Sequence, residues 1–105
     1  KEDIVVIQSP VGMPGRVIHN EFVKRISKGE RIDFGCEYQC LHTCDAKKVN
    51  YCIAKALLNA YRGELDKGFA MCGSNAYRIK KIISVKDLIS ELVTEAEACL
   101  NVPLL

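Results

Sequence analysis

The sequence predicts an α/β segment dominated by helices, with one or two short strands and a cysteine-rich loop. Three observations lead there. A β-branched run, Ile4-Val5-Val6-Ile7, stands near the start; three stretches carry apolar residues at helical spacing; and four of the six cysteines crowd into Cys36–Cys52.

These observations divide the 105 residues into six parts of a single segment. Strand and turn occupy 1–18, a first helix 19–29 and the cysteine-rich loop 30–48. A second helix takes 49–63, a loop with a short strand 64–83, and a C-terminal helix 84–101. The length suits one domain with a modest core, near the lower limit of independent stability. Hydrophobic residues make up 49% and charged residues 27%, which is ordinary for a globular chain. A net charge of +2 gives no electrostatic case for nucleic acid, because acids dilute each basic group. No apolar run approaches the length of a membrane span. The chain opens KEDIVVI, with neither an initiator Met nor a signal peptide. We therefore expect a piece of a longer protein, placed by default in the cytoplasm.

A continuous β-branched run such as Ile4–Ile7 suits a strand covered on both faces. One strand makes no sheet, so its partners are expected in this chain, in a second copy, or in a missing body of protein. Ser9-Pro10-Val11-Gly12-Met13-Pro14-Gly15-Arg16 reads as a rigid connector in preference to an anion-cradling loop, since its spacing fits no nucleotide-binding pattern. Asn20 then caps a helix in which Phe22, Val23 and Ile26 share a face, Glu21 and Lys28 suit the dipole, and Gly29 is the stop. His19, just before it, reads as a cap or surface group and not as a base.

Over Val49–Arg62 the apolar stripe is Ile53, Ala56, Leu57, Ala60 and Tyr61, ended by Gly63. Cys52 falls in the first turn, where the dipole favours thiolate. After a surface turn, Phe69-Ala70-Met71-Cys72 reads as a short buried strand. Gly73-Ser74-Asn75-Ala76 follows, a small polar step that either permits close approach of backbone to a ligand or turns the chain onward. Ser84-x-x-Asp87 resembles a capping box. Beyond it Val85, Leu88, Ile89, Leu92, Val93, Ala96 and Leu100 recur at helical steps, with Asn101 and Pro103 as the stop. Burial of that stripe is expected to contribute about 1.5–3 kcal/mol for each large side chain. Cys99 reads as packing.

The cysteines of CEYQCLHTCDAKKVNYC are spaced C-x3-C-x3-C-x7-C. Four thiolates from one short loop can close a tetrahedral zinc site or hold an iron–sulfur cluster. Cys36, Cys40, Cys44 and Cys52 are the candidate ligands, with His42 as a substitute for one. Two disulfides are the second option, with three pairings that spacing does not separate. Free thiols are the third, because Cys36, Cys40 and Cys44 would share one helical face, although Gly35, Asp45 and Asn50 argue against a continuous helix.

Three stretches together resemble one family. SPVGMPGRVIHNEF, CEYQCLHTCDAKKVNYCIAKALLNAYRG and GFAMCGSNAYRIKKIISVKDLISELVTEAE are similar, in that order, to the carboxy-terminal part of the nitronate monooxygenases. That family was formerly called the 2-nitropropane dioxygenases and includes the flavin-dependent enoyl-ACP reductases. The resemblance spans nearly the whole chain. It implies a fragment of an FMN-binding TIM-type (β/α)8 barrel, roughly three times this length. It also implies that the phosphate-binding strands and the catalytic histidine lie upstream. Neither His19 nor His42 matches that histidine, so no catalytic residue is assigned, and the segment alone is expected to be inactive. Gly73, Ser74 and Asn75 match the step that approaches the flavin in relatives. Met13–Arg16 matches the start of the segment that covers the substrate.

The leading expectation is thus the C-terminal part of an FMN-dependent oxidoreductase acting on nitronates or enoyl thioesters, with NAD(P)H as an optional reductant. Its partner would be the N-terminal barrel of the same enzyme. A strand separated from its sheet would also favour a homodimer or strand exchange. The alternative is a small zinc or iron–sulfur module, structural or electron-relaying. A disulfide-stapled extracellular binding module is a third class and needs an oxidising compartment.

Overall fold

The computed structural model describes residues 2–101. Two strands come first, β1 (Ile4–Gln8) and β2 (Pro14–Ile18), followed by helices α1 (Glu21–Ser27), α2 (Ile53–Tyr61) and α3 (Val85–Leu100). A single 3-10 turn, Ala76–Arg78, lies between α2 and α3. No described helix is long and apolar enough to cross a membrane.

β1 and β2 form an antiparallel hairpin in the register Ile4↔Ile18 to Gln8↔Pro14. The partner of the first strand therefore lies in this chain. The connector closes on itself: Ser9 N–H donates to the Met13 carbonyl and Gly12 N–H to that of Ser9, each at 3.1 Å. Val11 N–H donates to the Ser9 hydroxyl at 3.1 Å. With those donors occupied internally, the loop is a turn and not an anion cradle. Gly12 adopts φ +88°, which a side chain would strain.

Burial on both faces of β1 is corrected. Ile7 is buried, while Val6 is 59% exposed. The reason is that only one face of this small sheet is covered, so alternate side chains meet solvent. A third extended segment adds to the β2 edge through the bridge Val17↔Met71. Ile18 N–H donates to Ala70 O at 3.1 Å, and Cys72 N–H to Arg16 O at 3.0 Å. Gly15 makes room for that segment, since a Cβ there would lie 2.8 Å from Met71 Cε.

The covered face meets α1 and three rings. Phe22, Tyr51 and Phe69 pack pairwise with centroids 5.8–6.0 Å apart. Ile7, Val17, Val23, Ile26 and Ala56 complete the buried cluster. Asn20 ties its parts together: its Oδ1 accepts from Val23 N–H at 2.9 Å to cap α1. Its Nδ2 donates to Leu65 O at 3.1 Å and Gly68 O at 2.8 Å, holding the approach to Phe69.

α2 departs from its expected span and face. It begins after Cys52, which is its N-cap and makes no side-chain cap hydrogen bond. Tyr51, outside the expected stripe, is 2% exposed, whereas Tyr61 inside that stripe is 88% exposed. The helix docks through Ala56, where Gly68 allows a backbone approach that no side chain could survive: a Cβ on Gly68 would lie 2.0 Å from Ala56 O. Such close contact brings the small residues inward and turns Tyr61 out.

The capping at Ser84 is present, with Asp87 N–H donating to Ser84 Oγ at 3.1 Å and Ser84 Oγ donating to Asp87 Oδ2 at 2.7 Å. Asn101 ends α3 at φ 56°; Pro103 lies outside the described residues. Burial of the α3 stripe is corrected: no residue of the helix is buried, and Leu92 is 54% exposed. α3 follows an exposed connector in which Ile79 and Ile82 also face solvent. The molecule is accordingly long, 55 × 26 × 23 Å, with a radius of gyration of 17.8 Å. A compact chain of this size would measure about 13 Å.

Candidate functional site

Two features gather the residues singled out by the sequence. The first is the turn after the third extended segment. Because Cys72 is hydrogen-bonded to Arg16, Gly73–Asn75 emerges beside the start of β2. The structure thus brings together Met13–Arg16 and Gly73–Asn75, although some sixty residues separate them. Gly73, Ser74 and Asn75 are all exposed. Ala76 N–H donates to Gly73 O at 3.2 Å, and Asn75 opens the 3-10 turn without capping it through its side chain.

Gly73 is set apart by elimination. Gly12, Gly29, Gly35 and Gly63 have positive φ, while Gly15 and Gly68 face neighbours that a Cβ would strike. At Gly73 neither reason holds: φ lies outside the left-handed region and a Cβ would meet nothing within 4 Å. The space in front of it is open.

The second feature is the cysteine-rich loop. No helix forms between α1 and α2, so a shared helical face for Cys36, Cys40 and Cys44 is overturned. Turns and side-chain tethers shape the loop instead. Arg31 donates to Val49 O at 2.7 Å and Ala46 O at 3.1 Å, and Asp45 Oδ1 accepts from Lys47 N–H at 3.0 Å. Thr43 donates to Val11 O at 3.1 Å, seating the loop on the hairpin turn. Lys55, one turn into α2, donates to the carbonyls of Phe34 and Gly35 and so holds Cys36 near the helix start.

These tethers bring all four cysteines to one cavity of about 30 Å³, where Phe34 and Ile53 form part of the wall. No disulfide joins them. Burial pushes the Cys44 thiol above its ordinary range, and charge on Cys40, Cys36, Cys52 and Asp45 adds to the effect. Among the described residues no three His, Cys, Asp or Glu side chains stand in metal-ligating geometry. His42 is exposed and does not line the cavity, and His19 is also exposed. Val11, Phe34 and Lys55 escaped the sequence reading. Lys55 sits three residues after Cys52, but nothing local announces that its ammonium reaches back some twenty residues to the loop.

No curated protein sequence matches the chain. A family model does, the one described as nitronate monooxygenase, and it covers residues 1–95. With nine-tenths of its length matched, the chain belongs to the nitronate monooxygenase family.

Proposed function

We propose that this chain is the C-terminal part of an FMN-dependent oxidoreductase acting on nitronates or enoyl thioesters. Family membership supports the flavin-dependent oxidoreductase class. The parent (β/α)8 barrel would precede this segment, whose described residues carry an antiparallel hairpin, one bridged extended segment and helices. One observation favours the flavin-facing role of the turn: Gly73 is a glycine without an internal reason to be one. Gly73 would let backbone come close to the cofactor, and Ser74 and Asn75 would offer a hydroxyl and an amide. Met13–Arg16, held alongside through the Arg16–Cys72 hydrogen bond, would begin the cover over the substrate.

The flavin supplies the redox chemistry when bound, with NAD(P)H as a candidate reductant. This chain contributes approach, orientation and shielding from water, and no catalytic residue. It is inactive alone in this reading, and its cellular place is the cytoplasm. The uncovered α3 stripe and the free edge of β1 favour a partner, which we take to be the N-terminal barrel of the same enzyme. Purification of the intact gene product tests the proposal. Bound flavin is expected in its visible spectrum, with Gly73→Val reducing flavin content while the fold persists. A colourless, folded product overturns it.

A further inference from the structure

We propose that Cys36, Cys40, Cys44 and Cys52 close on a single zinc ion that fixes the loop between α1 and α2. The inference is independent of the flavin reading. Soft thiolates from four positions satisfy the tetrahedral demand of zinc, and here all four line one small cavity. Its size selects the occupant. About 30 Å³ is room for two or three water-sized spheres at ~10–15 Å³ each, which suits one ion better than a four-iron cube.

The loop itself supplies the second argument. Between Ile26 and Tyr51 it contributes no fully buried residue to the core, only the partly buried Ile32 packs against it, and Tyr38 and Leu41 are exposed. Apolar burial therefore does not explain why this stretch should hold a shape. Four cysteines lining one cavity do, once a cation draws their thiols together. The thiols must still close in, since no three of them stand in ligating geometry, and the loop that carries them is tethered by Arg31, Thr43 and Lys55. The balance is simple: Zn²⁺ replaces four S–H protons, which pass to solvent, and leaves a tetrathiolate of charge −2. The Lys55 ammonium and the N-terminus of α2, at which Cys52 sits, offset part of that charge.

The test uses the full chain, purified without oxygen, loaded with zinc and passed through a chelator. About one zinc per chain should remain. Cobalt in its place should show the thiolate charge-transfer and ligand-field bands of a tetrahedral sulfur site. Alkylation followed by peptide mass spectrometry should find Cys36, Cys40, Cys44 and Cys52 protected by zinc while Cys72 and Cys99 react. This readout needs no variant, so a misfolded mutant cannot obscure it. A Cys72→Ser/Cys99→Ser double variant should retain zinc, and Cys44→Ser should weaken it at least as much as the roughly 10–100-fold cost of losing a supporting group. Iron with inorganic sulfide, two disulfides, or a chain that keeps no zinc and alkylates evenly would each overturn the proposal.

Discussion

Replacing Gly68 by alanine adds one methyl group at the tightest point of the molecule. That Cβ would stand 2.0 Å from the Ala56 carbonyl oxygen, 2.9 Å from its carbon and 3.1 Å from Ala60 N. Every nearby atom is backbone, so no rotamer change relieves the contact, and α2 must move by more than an ångström. Its retreat would open the packing of Ala56 against the Phe22–Tyr51–Phe69 cluster. Overpacking of this kind costs about 1–3 kcal/mol, and the backbone nature of the clash places it at or above the top of that range. A 3 kcal/mol loss corresponds to a fall in Tm on the order of 12–24 °C for a domain of this size. Gly73→Ala is the matched control. It adds the same methyl into open space at a φ that alanine tolerates, so stability should stay within about 0.5 kcal/mol or rise slightly. Urea unfolding followed by far-ultraviolet circular dichroism gives both numbers. Equal stabilities for the two variants would refute the packing argument, and with it the reason for regarding Gly73 as different in kind.

Three other outcomes are expected. Burial pushes Tyr51 up to about 12, above the ordinary phenol value of about 10. The unfolded chain then loses its phenolic proton first. The contribution is complete below about pH 10 and disappears as pH climbs through about 12, a loss on the order of 2 kcal/mol read as the difference between the native chain and Tyr51→Phe in alkaline unfolding. A parallel decline in both would refute it. Asn20→Ala removes the α1 cap and both tethers to the Leu65 and Gly68 carbonyls; unfolding should show a loss of about 1–3 kcal/mol, with Asn20→Asp recovering the cap alone. Leu92→Lys on the open α3 stripe should leave the stability of this chain unchanged within about 0.5 kcal/mol. In the intact gene product it should lower stability, and an unaffected melting curve there would mean that nothing covers the stripe.

The local signals in the chain were legible because they depend on neighbours in sequence. Asn20 accepts from Val23 N–H and Ser84 from Asp87 N–H, while Gly29 and Gly63 take the left-handed φ that stops a helix. Such contacts reach across three or four residues and owe nothing to the rest of the fold. The four-cysteine constellation was visible as spacing, but spacing left open whether the thiols meet. Their shared cavity depends on Lys55, Arg31 and Thr43 reaching over 15 to 32 residues.

What the chain determined by itself is therefore the caps of α1 and α3 and the glycine stops, which residues are apolar, and which family it joins, while the start of α2 at Ile53 and not Val49 was not legible. Which apolar face is covered was settled only in three dimensions. Tyr51 entered the core and Tyr61 did not, because Gly68 admits the Ala56 backbone and fixes the rotation of α2. The α3 stripe, periodic enough to promise burial, has no fully buried residue, because no other described element packs extensively against it. Periodicity records the ability of a surface to be buried; the partner that buries it is a property of the fold.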